Sequence, residues 1–155
     1  MTDKIIVRED DLSGTEIADL LGRHLELMHS ITPAESVYAL DLEGLRVPEI
    51  TFWAAWDGDD LVGCVALKDH GDGLGEIKSM HTLAERRGQG IARKLLETLM
   101  DEARNRRMER LSLETGKTEH FKPAQELYRR YGFEETGPFA DYADDPHSYF
   151  MTRVI

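Results

Sequence analysis

Residues 86–92, which read Arg-Arg-Gly-Gln-Gly-Ile-Ala, combine two features that suit the binding of a phosphorylated ligand. Gly88 and Gly90 let the backbone turn tightly and approach a ligand without interference from a Cβ atom. The amphipathic segment that follows is predicted to be a helix, and the first N–H groups of a helix have no partner within it. Such a helix N-terminus binds phosphate, and Arg86 and Arg87 add positive charge beside it. The sequence therefore predicts a loop that holds the phosphates of a cofactor.

Two motifs in the chain resemble those of one enzyme family. The run Arg87-x-x-Gly90-x-Ala92 resembles the Arg/Gln-x-x-Gly-x-Gly/Ala signature of the GNAT N-acetyltransferases, in which this loop binds the pyrophosphate of acetyl-CoA. A later block resembles the C-terminal helix of that family and the strand after it, and it consists of Ala124, Leu127, Tyr128, Gly132 and Phe133. The two blocks follow each other in the family's order, and the resemblance extends from about residue 51 to the end.

This resemblance implies acetyl-CoA as a co-substrate and no metal ion. It implies that the loop and the splayed end of the preceding strand contact the cofactor, with backbone N–H groups directed at the pantetheine amide and the acetyl oxygen. The corresponding residues are Met80, His81, Thr82, Arg87, Gly88, Gln89, Gly90, Ile91 and Ala92. It also implies that the phenol of Tyr128 donates a proton or a hydrogen bond to the leaving thiolate.

The group that deprotonates the amine remains open at this stage. Several members of the family carry a glutamate where Glu76 stands, at the start of the strand before the loop, so Glu76 is the first candidate for a catalytic base. His81 is the alternative, although alternation along the strand directs its side chain to the face opposite Met80 and Thr82. Water is a third possibility, either as a relay for Glu76 or alone.

Two segments of the chain are expected to form the site for the acceptor of the acetyl group. By analogy with the family, residues 24–38 and 138–149 flank the acceptor site, and the second of these segments is rich in acidic and aromatic residues. This composition suits a primary amine of a small molecule, an amino acid or a peptide. Phe121 departs from the family, because many members have an asparagine there that contacts the cofactor. A non-catalytic acyl-CoA-binding or regulatory domain of the same fold is the alternative function.

The composition narrows the range of partners. The formal net charge of −11 disfavours nucleic acid and anionic membranes. Residues 86–107 nevertheless carry seven basic and three acidic side chains, a local charge of +4 that suits an anionic cofactor. The single cysteine, Cys64, cannot form an internal disulfide, and the first residues do not resemble a signal peptide, so a cytoplasmic location is expected. A homodimer is an open possibility.

Other readings of the same motifs are weaker. A dinucleotide-binding fingerprint would require a glycine where Arg93 stands, and a Walker A loop ending at residues 116–118 would require one in place of Leu111. The histidines are scattered and have no metal-binding spacing. Cys64 lies in an apolar strand without a neighbouring histidine, so we interpret it as a small core residue.

Hydrophobic periodicity predicts a single domain over residues 1–155, with a cofactor-binding core at about 75–137. The expected fold is α/β of the α+β type, with a mixed, mostly antiparallel sheet flanked by helices and a βαβ unit at the cofactor. The predicted strands are residues 5–8, 50–56, 61–68, 75–82, 110–114, 133–136 and 148–154. The predicted helices run from Ser13 or Thr15 to about residue 29, from a capping box at Thr32 and Glu35, over 91–107 and over 123–131.

Overall fold

Seven strands form one open, mixed sheet in the computed structural model, which describes residues 4–155. The strands are β1 (Ile5–Glu9), β2 (Ile50–Asp57), β3 (Asp60–Asp69), β4 (Leu74–Thr82), β5 (Arg110–Gly116), β6 (Glu134–Thr136) and β7 (Ser148–Val154). Their order across the sheet is β1-β2-β3-β4-β5-β7-β6, and all neighbouring pairs are antiparallel except β4 and β5. The predicted mixed, mostly antiparallel sheet is confirmed.

Four α-helices cover the two faces of this sheet in the described part of the chain. They are α1 (Thr15–Ile31), α2 (Leu42–Leu45), α3 (Ile91–Asn105) and α4 (Lys122–Arg130). Short 3-10 turns occupy Ala34–Ser36, Ala84–Arg86 and Glu119–Phe121. None of the helices within residues 4–155 is long and apolar enough to cross a membrane.

Strand alternation divides the core into two layers. Alternate side chains of the sheet, such as Ala55 and Val65, pack with the buried stripe of α3 and with Tyr128 of α4. The residues between them, such as Ala54 and Cys64, pack with α1 and α2. We call these two sides the α3 face and the α1 face.

The unit β4–α3–β5 contains the one parallel pair among the described strands. Its register runs from Leu74 opposite Arg110 to Ile77 opposite Leu113 and stops there, although β4 continues to Thr82 and β5 to Gly116. The two strands therefore separate after Ile77 and Leu113. We call the space between residues 78–82 and 114–116 the strand gap.

Most predicted elements agree with the structure to within one or two residues, but the second helix does not. The predicted capping box at Thr32 and Glu35 is wrong, because Thr32 ends α1 and only a 3-10 turn follows. Helix α2 begins ten residues later, where the side chain of Asp41 accepts a hydrogen bond from the Gly44 N–H. Helix α1 starts at Thr15 after Gly14 and has no side-chain cap. Tertiary contacts of the intervening segment, described below, replace the expected helix.

Candidate active site

A cavity of about 590 Å³ occupies the strand gap. Its walls come from both faces of the sheet, with His24, Leu27 and Met28 of α1 on one side and Ile91, Ala92 and Tyr128 of α3 and α4 on the other. All of the site residues predicted from the sequence line this cavity except Gln89. The fold therefore brings together predicted residues that lie up to 52 positions apart, about a third of the chain.

A β-bulge shapes the β4 side of the gap. The pairing of β3 with β4 shifts register between Cys64 and Ala66, and Ser79 has a φ of 54°, which is unusual for a residue with a side chain. The Cys64 thiol donates a hydrogen bond of 3.2 Å to the Ser79 carbonyl and holds the bulge from the buried side. Burial raises the pKa of this thiol to about 12, so Cys64 is the core residue that the sequence predicted.

Three buried polar atoms at the cavity have no hydrogen-bond partner among the described residues. They are Ser79 Oγ, Thr82 Oγ1 and His24 Nδ1. Buried polar atoms in folded proteins are almost always paired, so a cluster of unpaired ones indicates a ligand site. Residues 78–82 also lie beyond the last pairing with β5, so this edge of β4 faces the cavity instead of a strand. The donors and acceptors suit a polar chain such as a pantetheine arm.

The N-terminus of α3 forms the end of the cavity on the α3 face. Gly90 precedes the helix with a φ of 78°, a left-handed conformation that favours glycine. No side chain caps the helix and no acidic residue lies in its first turn, so its N–H groups are available to an anion. Arg87 lines the cavity and forms no ion pair with a described residue. These features fit a pyrophosphate.

The side chains of Arg86 and Gln89 are engaged in contacts that hold the loop, and of the two only Arg86 also lines the cavity. Arg86 pairs with Asp57, at the turn between β2 and β3, and its Nε donates to the Gln89 side-chain oxygen over 3.2 Å. This pairing uses the Gln89 side chain, so any contact of Gln89 with a cofactor would come from its backbone. The resemblance assigned Arg87 to the cofactor, but the partner of Arg86 could not be predicted from the local sequence, because Asp57 lies on a distant hairpin.

Tyr128 reaches the cavity from α4. Its side chain is 4% exposed and its ring lies 5.7 Å from that of Phe133, in the edge-to-face orientation that aromatic pairs prefer. Burial raises the pKa of the Tyr128 phenol above its usual range, so the group keeps its proton throughout the physiological range. A buried, protonated phenol at the cavity is a suitable proton donor.

Phe121 fills the position where many family members have asparagine. It lines the cavity and lies against Gly116, where an added Cβ would overlap the Phe121 ring. Gly116 therefore allows the ring to pack at the end of β5. The departure from the family changes a polar lining into an aromatic one.

The two histidines at the gap are neutral near pH 7. The rings of His24 and His81 lie 4.7 Å apart. Burial lowers the pKa of His81 to about 3 and that of His24 to about 4, and neighbouring positive charge adds to both effects. An imidazole with so low a pKa is a weak base, so the buried environment of His81 argues against its role as the catalytic base.

Glu76 lies on the α1 face and is fully engaged by neighbouring side chains. It is 2% exposed, and the hydroxyl of Tyr142 donates to its Oε2 over 2.6 Å. Lys78 Nζ also donates to Oε2, over 3.1 Å, and His70 Nε2 lies 2.8 Å from Oε1. The predicted base thus lines the cavity, but both of its oxygen atoms already accept hydrogen bonds.

Glu114 is a further carboxylate at the gap, and the sequence analysis assigned it no function. It follows Leu113 on β5, lines the cavity, and accepts a hydrogen bond of 2.8 Å from the buried Ser148 hydroxyl. Burial raises the pKa of Glu114 to about 7, an effect that the Ser148 hydroxyl and the Lys78 charge oppose. Alternation with Leu111 and Leu113 predicts its face, but its burial depends on β7 and could not be predicted from the local sequence.

The two segments predicted to flank the acceptor site contact each other on the α1 face. Asp145 accepts hydrogen bonds from the hydroxyls of Tyr38, at 2.7 Å, and Ser36, at 3.0 Å. The ring of Tyr38 lies 5.2 Å from that of Tyr142. We call residues 137–147 the cover loop, because these contacts hold it over the α1 face of β4, β5 and β7.

A metal site is absent from the described part of the chain. No group of three or more histidine, cysteine, aspartate or glutamate residues there has a geometry that could hold a metal ion.

Comparison with known proteins identifies the family of this chain. The sequence profile of the Acetyltransferase (GNAT) family matches residues 16–133. The chain is 50% identical to the uncharacterized N-acetyltransferase YsnE of Bacillus subtilis, over 96% of this chain and 99% of that protein. It is 39% identical to the IAA acetyltransferase of Azospirillum brasilense over the full length of both.

A solved structure of low sequence identity has the same fold. The PaiA N-acetyltransferase of Thermoplasma acidophilum, solved in complex with coenzyme A, superposes with a TM-score of 0.76 over 97% of this chain and 99% of that one, at 15% identity. Because the family profile covers most of the chain and the sequence relatives match it from end to end, this protein belongs to the GNAT family of acetyltransferases.

Proposed function

We propose that this enzyme transfers the acetyl group of acetyl-CoA directly to a primary amine of a small molecule, an amino acid or a peptide. The observation that carries the proposal is the continuous cavity through the strand gap. Its end on the α3 face has a helix N-terminus and Arg87, which forms no ion pair within residues 4–155, and its end on the α1 face has carboxylates. One end suits an anionic cofactor and the other a cationic amine.

On the cofactor side, the proposed contacts divide by chemistry. Arg87 and the backbone of residues 88–92 bind the pyrophosphate, because unpaired N–H groups and positive charge meet there. The exposed edge of Met80, His81 and Thr82 pairs with the pantetheine arm and polarises the acetyl carbonyl. Acetyl-CoA supplies a thioester that is already activated, so these residues need only orient it and polarise its carbonyl.

On the chemical side, Tyr128 is proposed to protonate the departing thiolate. Its raised pKa keeps the phenol protonated, so it can donate a hydrogen bond or its proton to the sulfur as negative charge develops there. The role of Glu76 as the base stays a prediction. Its two carboxylate oxygen atoms are engaged by Tyr142, Lys78 and His70, which leaves them less available to an amine.

Calorimetric titration with acetyl-CoA, with NAD and ATP as controls, tests the cofactor. Thiol release is then followed with a panel of phenethylamine, putrescine, leucinamide and a short peptide. Selective binding and amine-dependent thiol release support the proposal. Failure to bind acetyl-CoA contradicts it, and binding without release for any amine favours the non-catalytic alternative.

A further inference from the structure

Two oppositely charged side chains stand where β4 and β5 separate. Ile77 and Leu113 form the last pair of the parallel register, so Lys78 and Glu114 are the next residues on each strand. Alternation directs both toward the α1 face, opposite the core residues Ile77 and Leu113. Both line the cavity. They therefore mark the α1 side of the gap, where an acceptor would meet the acetyl group.

We propose that Glu114, and not Glu76, binds the ammonium group of the acceptor and takes its proton, and that the acceptor is a primary amine with an apolar body. This inference rests on the proposed N-acetyltransferase function. It assigns the base to a residue that the motifs of the sequence do not include.

The hydrogen bonds of the three acidic side chains around the acceptor side separate their roles. Glu76 accepts from three neighbours, and Asp145 accepts from two hydroxyls and from the His147 N–H. Glu114 accepts from Ser148 through Oε2, and no described residue donates to its Oε1. Glu114 is thus the carboxylate that has an oxygen atom available to a ligand in the cavity.

The position of Ser148 gives Glu114 a fixed orientation. Ser148 begins β7 and pairs across the sheet with Gly116, two residues from Glu114. Its side chain is buried, so the hydroxyl cannot exchange this bond for one to bulk water. The carboxylate is held on one oxygen atom and leaves the other toward the cavity, which is the arrangement that a proton acceptor requires.

The surrounding charges suit the ammonium ion. Among the described residues, five charged or titratable groups interact electrostatically with Glu114. They are Lys78 and Glu76 on β4, Asp145 and Tyr142 on the cover loop, and Tyr38 after α1. Burial raises the pKa of Glu114 to about 7, which suits a base that must accept and release a proton near neutral pH. Lys78 is held by Glu76 and Tyr142, so its charge is already compensated.

Apart from His24, the cavity wall that α1 and the segment after it provide is mostly apolar. Leu27 and Met28 of α1, Ala39, and the ring of Tyr38 line the cavity on the α1 face. An amine with an alkyl or aryl body would place its ammonium group at Glu114 and remove these side chains from water. A polyamine would bring a second charge against the same wall.

The proton and electron balance of the step is simple. Glu114 takes one proton from R–NH3+, and the free nitrogen lone pair forms a C–N bond with the thioester carbonyl carbon. The C–S bond breaks and its electron pair leaves with sulfur, which takes the proton of Tyr128. The second proton lost by nitrogen restores the phenol, and Glu114 returns its own proton to solvent.

The test compares Glu114→Gln with Glu76→Gln and with Glu135→Gln, an exposed control on β6. Phenethylamine is the acceptor, thiol release is followed from pH 5.5 to 9, and acetyl-CoA affinity is measured by calorimetry. We expect Glu114→Gln to lower kcat/KM by about 100-fold or more and to abolish the inflection near pH 7, with acetyl-CoA affinity unchanged. Glu114→Asp should recover part of the rate, and Glu135→Gln should match the wild type.

Ser148→Ala gives a second measurement that does not remove the carboxylate. The Ser148 hydroxyl lowers the pKa of Glu114, so its loss should move the acidic limb of the pH profile to higher pH. Equal rates and profiles for Glu114→Gln and wild type overturn the assignment of Glu114, as does an acidic limb that disappears in Glu76→Gln instead.

Other outcomes separate this inference from the proposed function. An enzyme that binds acetyl-CoA and acetylates putrescine or the peptide, but not phenethylamine, overturns the apolar acceptor and leaves the N-acetyltransferase function intact. An enzyme that does not bind acetyl-CoA contradicts the proposed function itself.

Discussion

Tyr128 is the residue whose chemistry depends most directly on its surroundings, because burial both positions the phenol and keeps it protonated. We expect Tyr128→Phe to lower kcat by about 100-fold or more, since the leaving thiolate loses its proton donor. The Kd for acetyl-CoA should stay within about twofold, because the ring that packs on Phe133 remains. Thiol-release kinetics and calorimetry measure the two quantities.

Tyr131→Phe is the matched control for this experiment. Tyr131 follows α4 and its hydroxyl donates to Glu97 at the surface, away from the cavity lining. A normal kcat in Tyr128→Phe would remove Tyr128 from the chemistry.

His24 makes the folded protein sensitive to acid. Burial lowers the pKa of His24 to about 4 in the folded state, whereas an unfolded histidine has a pKa of about 6.5. Between these values the unfolded chain binds more protons, so stability falls as the pH decreases through this window. From pH 7.5 to 5.5 we expect His24 to remove about 1 kcal/mol from the free energy of unfolding. Urea denaturation at the two pH values measures this loss.

The variant His24→Gln isolates that contribution. It should lose about 1 kcal/mol less than wild type between the two pH values, because glutamine does not titrate. An identical loss of stability in both proteins would mean that the pKa of His24 in the folded protein is close to that of an unfolded histidine.

The residues of this site differ in how well the sequence predicts them. Tyr128 and the glycine loop lie in contiguous motifs whose spacing directs attention to them. Glu114 has no such motif, because its burial depends on Ser148, 34 positions later in the chain. Arg86 pairs with Asp57, whereas Arg87 forms no ion pair with a described residue. The local sequence predicts which face of an element a side chain occupies. It does not predict which of two neighbouring arginines forms an ion pair with a distant carboxylate.

At the scale of elements, the junction between β4 and α3 is the proposed site of cofactor binding. A carboxylate at position 90 would lie at the helix N-terminus where the pyrophosphate is proposed to bind, and it would also strain a backbone with a φ of 78°. We expect Gly90→Asp to weaken acetyl-CoA binding by at least 10-fold, as calorimetry would show.

Gly137→Asp is the charge-matched control, because a Cβ at Gly137 meets no atom within 4 Å and the residue lies in the cover loop, away from α3. It should bind acetyl-CoA as the wild type does. Equal affinity in Gly90→Asp and wild type would contradict the phosphate-binding role of the loop.

The elements themselves follow from periodicity where burial is regular. The stripe of α3 and the alternation of β5 predict both the type and the buried face of those elements. The segment after Thr32 is different, since Ser36 and Tyr38 bond to Asp145, more than 100 positions away. The strand gap is also invisible in the sequence of β4 alone, because it arises from the limit of pairing with β5.

At the scale of the whole molecule, the acceptor half of the cavity depends on contacts between distant parts of the chain. Asp145 joins the cover loop to Ser36 and Tyr38. We expect Asp145→Ala to raise KM for the amine by about 10-fold, because the wall formed by Tyr38 is no longer held. The Kd for acetyl-CoA should be unchanged, since its proposed contacts lie on α3 and β4.

Asp144→Ala removes the same charge from an exposed neighbour and serves as the control. A similar rise in KM for both variants would show that the effect comes from the charge of the loop and not from the hydrogen bonds of Asp145.

The cavity through the strand gap also has a consequence for the kinetic mechanism, because it bears on whether both substrates bind before the acetyl group is transferred. Because the cavity has lining residues from both faces of the sheet, we expect the thioester donor and the amine to occupy it together. No acetylated enzyme then has to form before the amine arrives. Initial rates measured at several fixed amine concentrations should give intersecting double-reciprocal lines, and coenzyme A should compete with the donor but not with the amine. Parallel lines would instead indicate a covalent acetyl-enzyme intermediate.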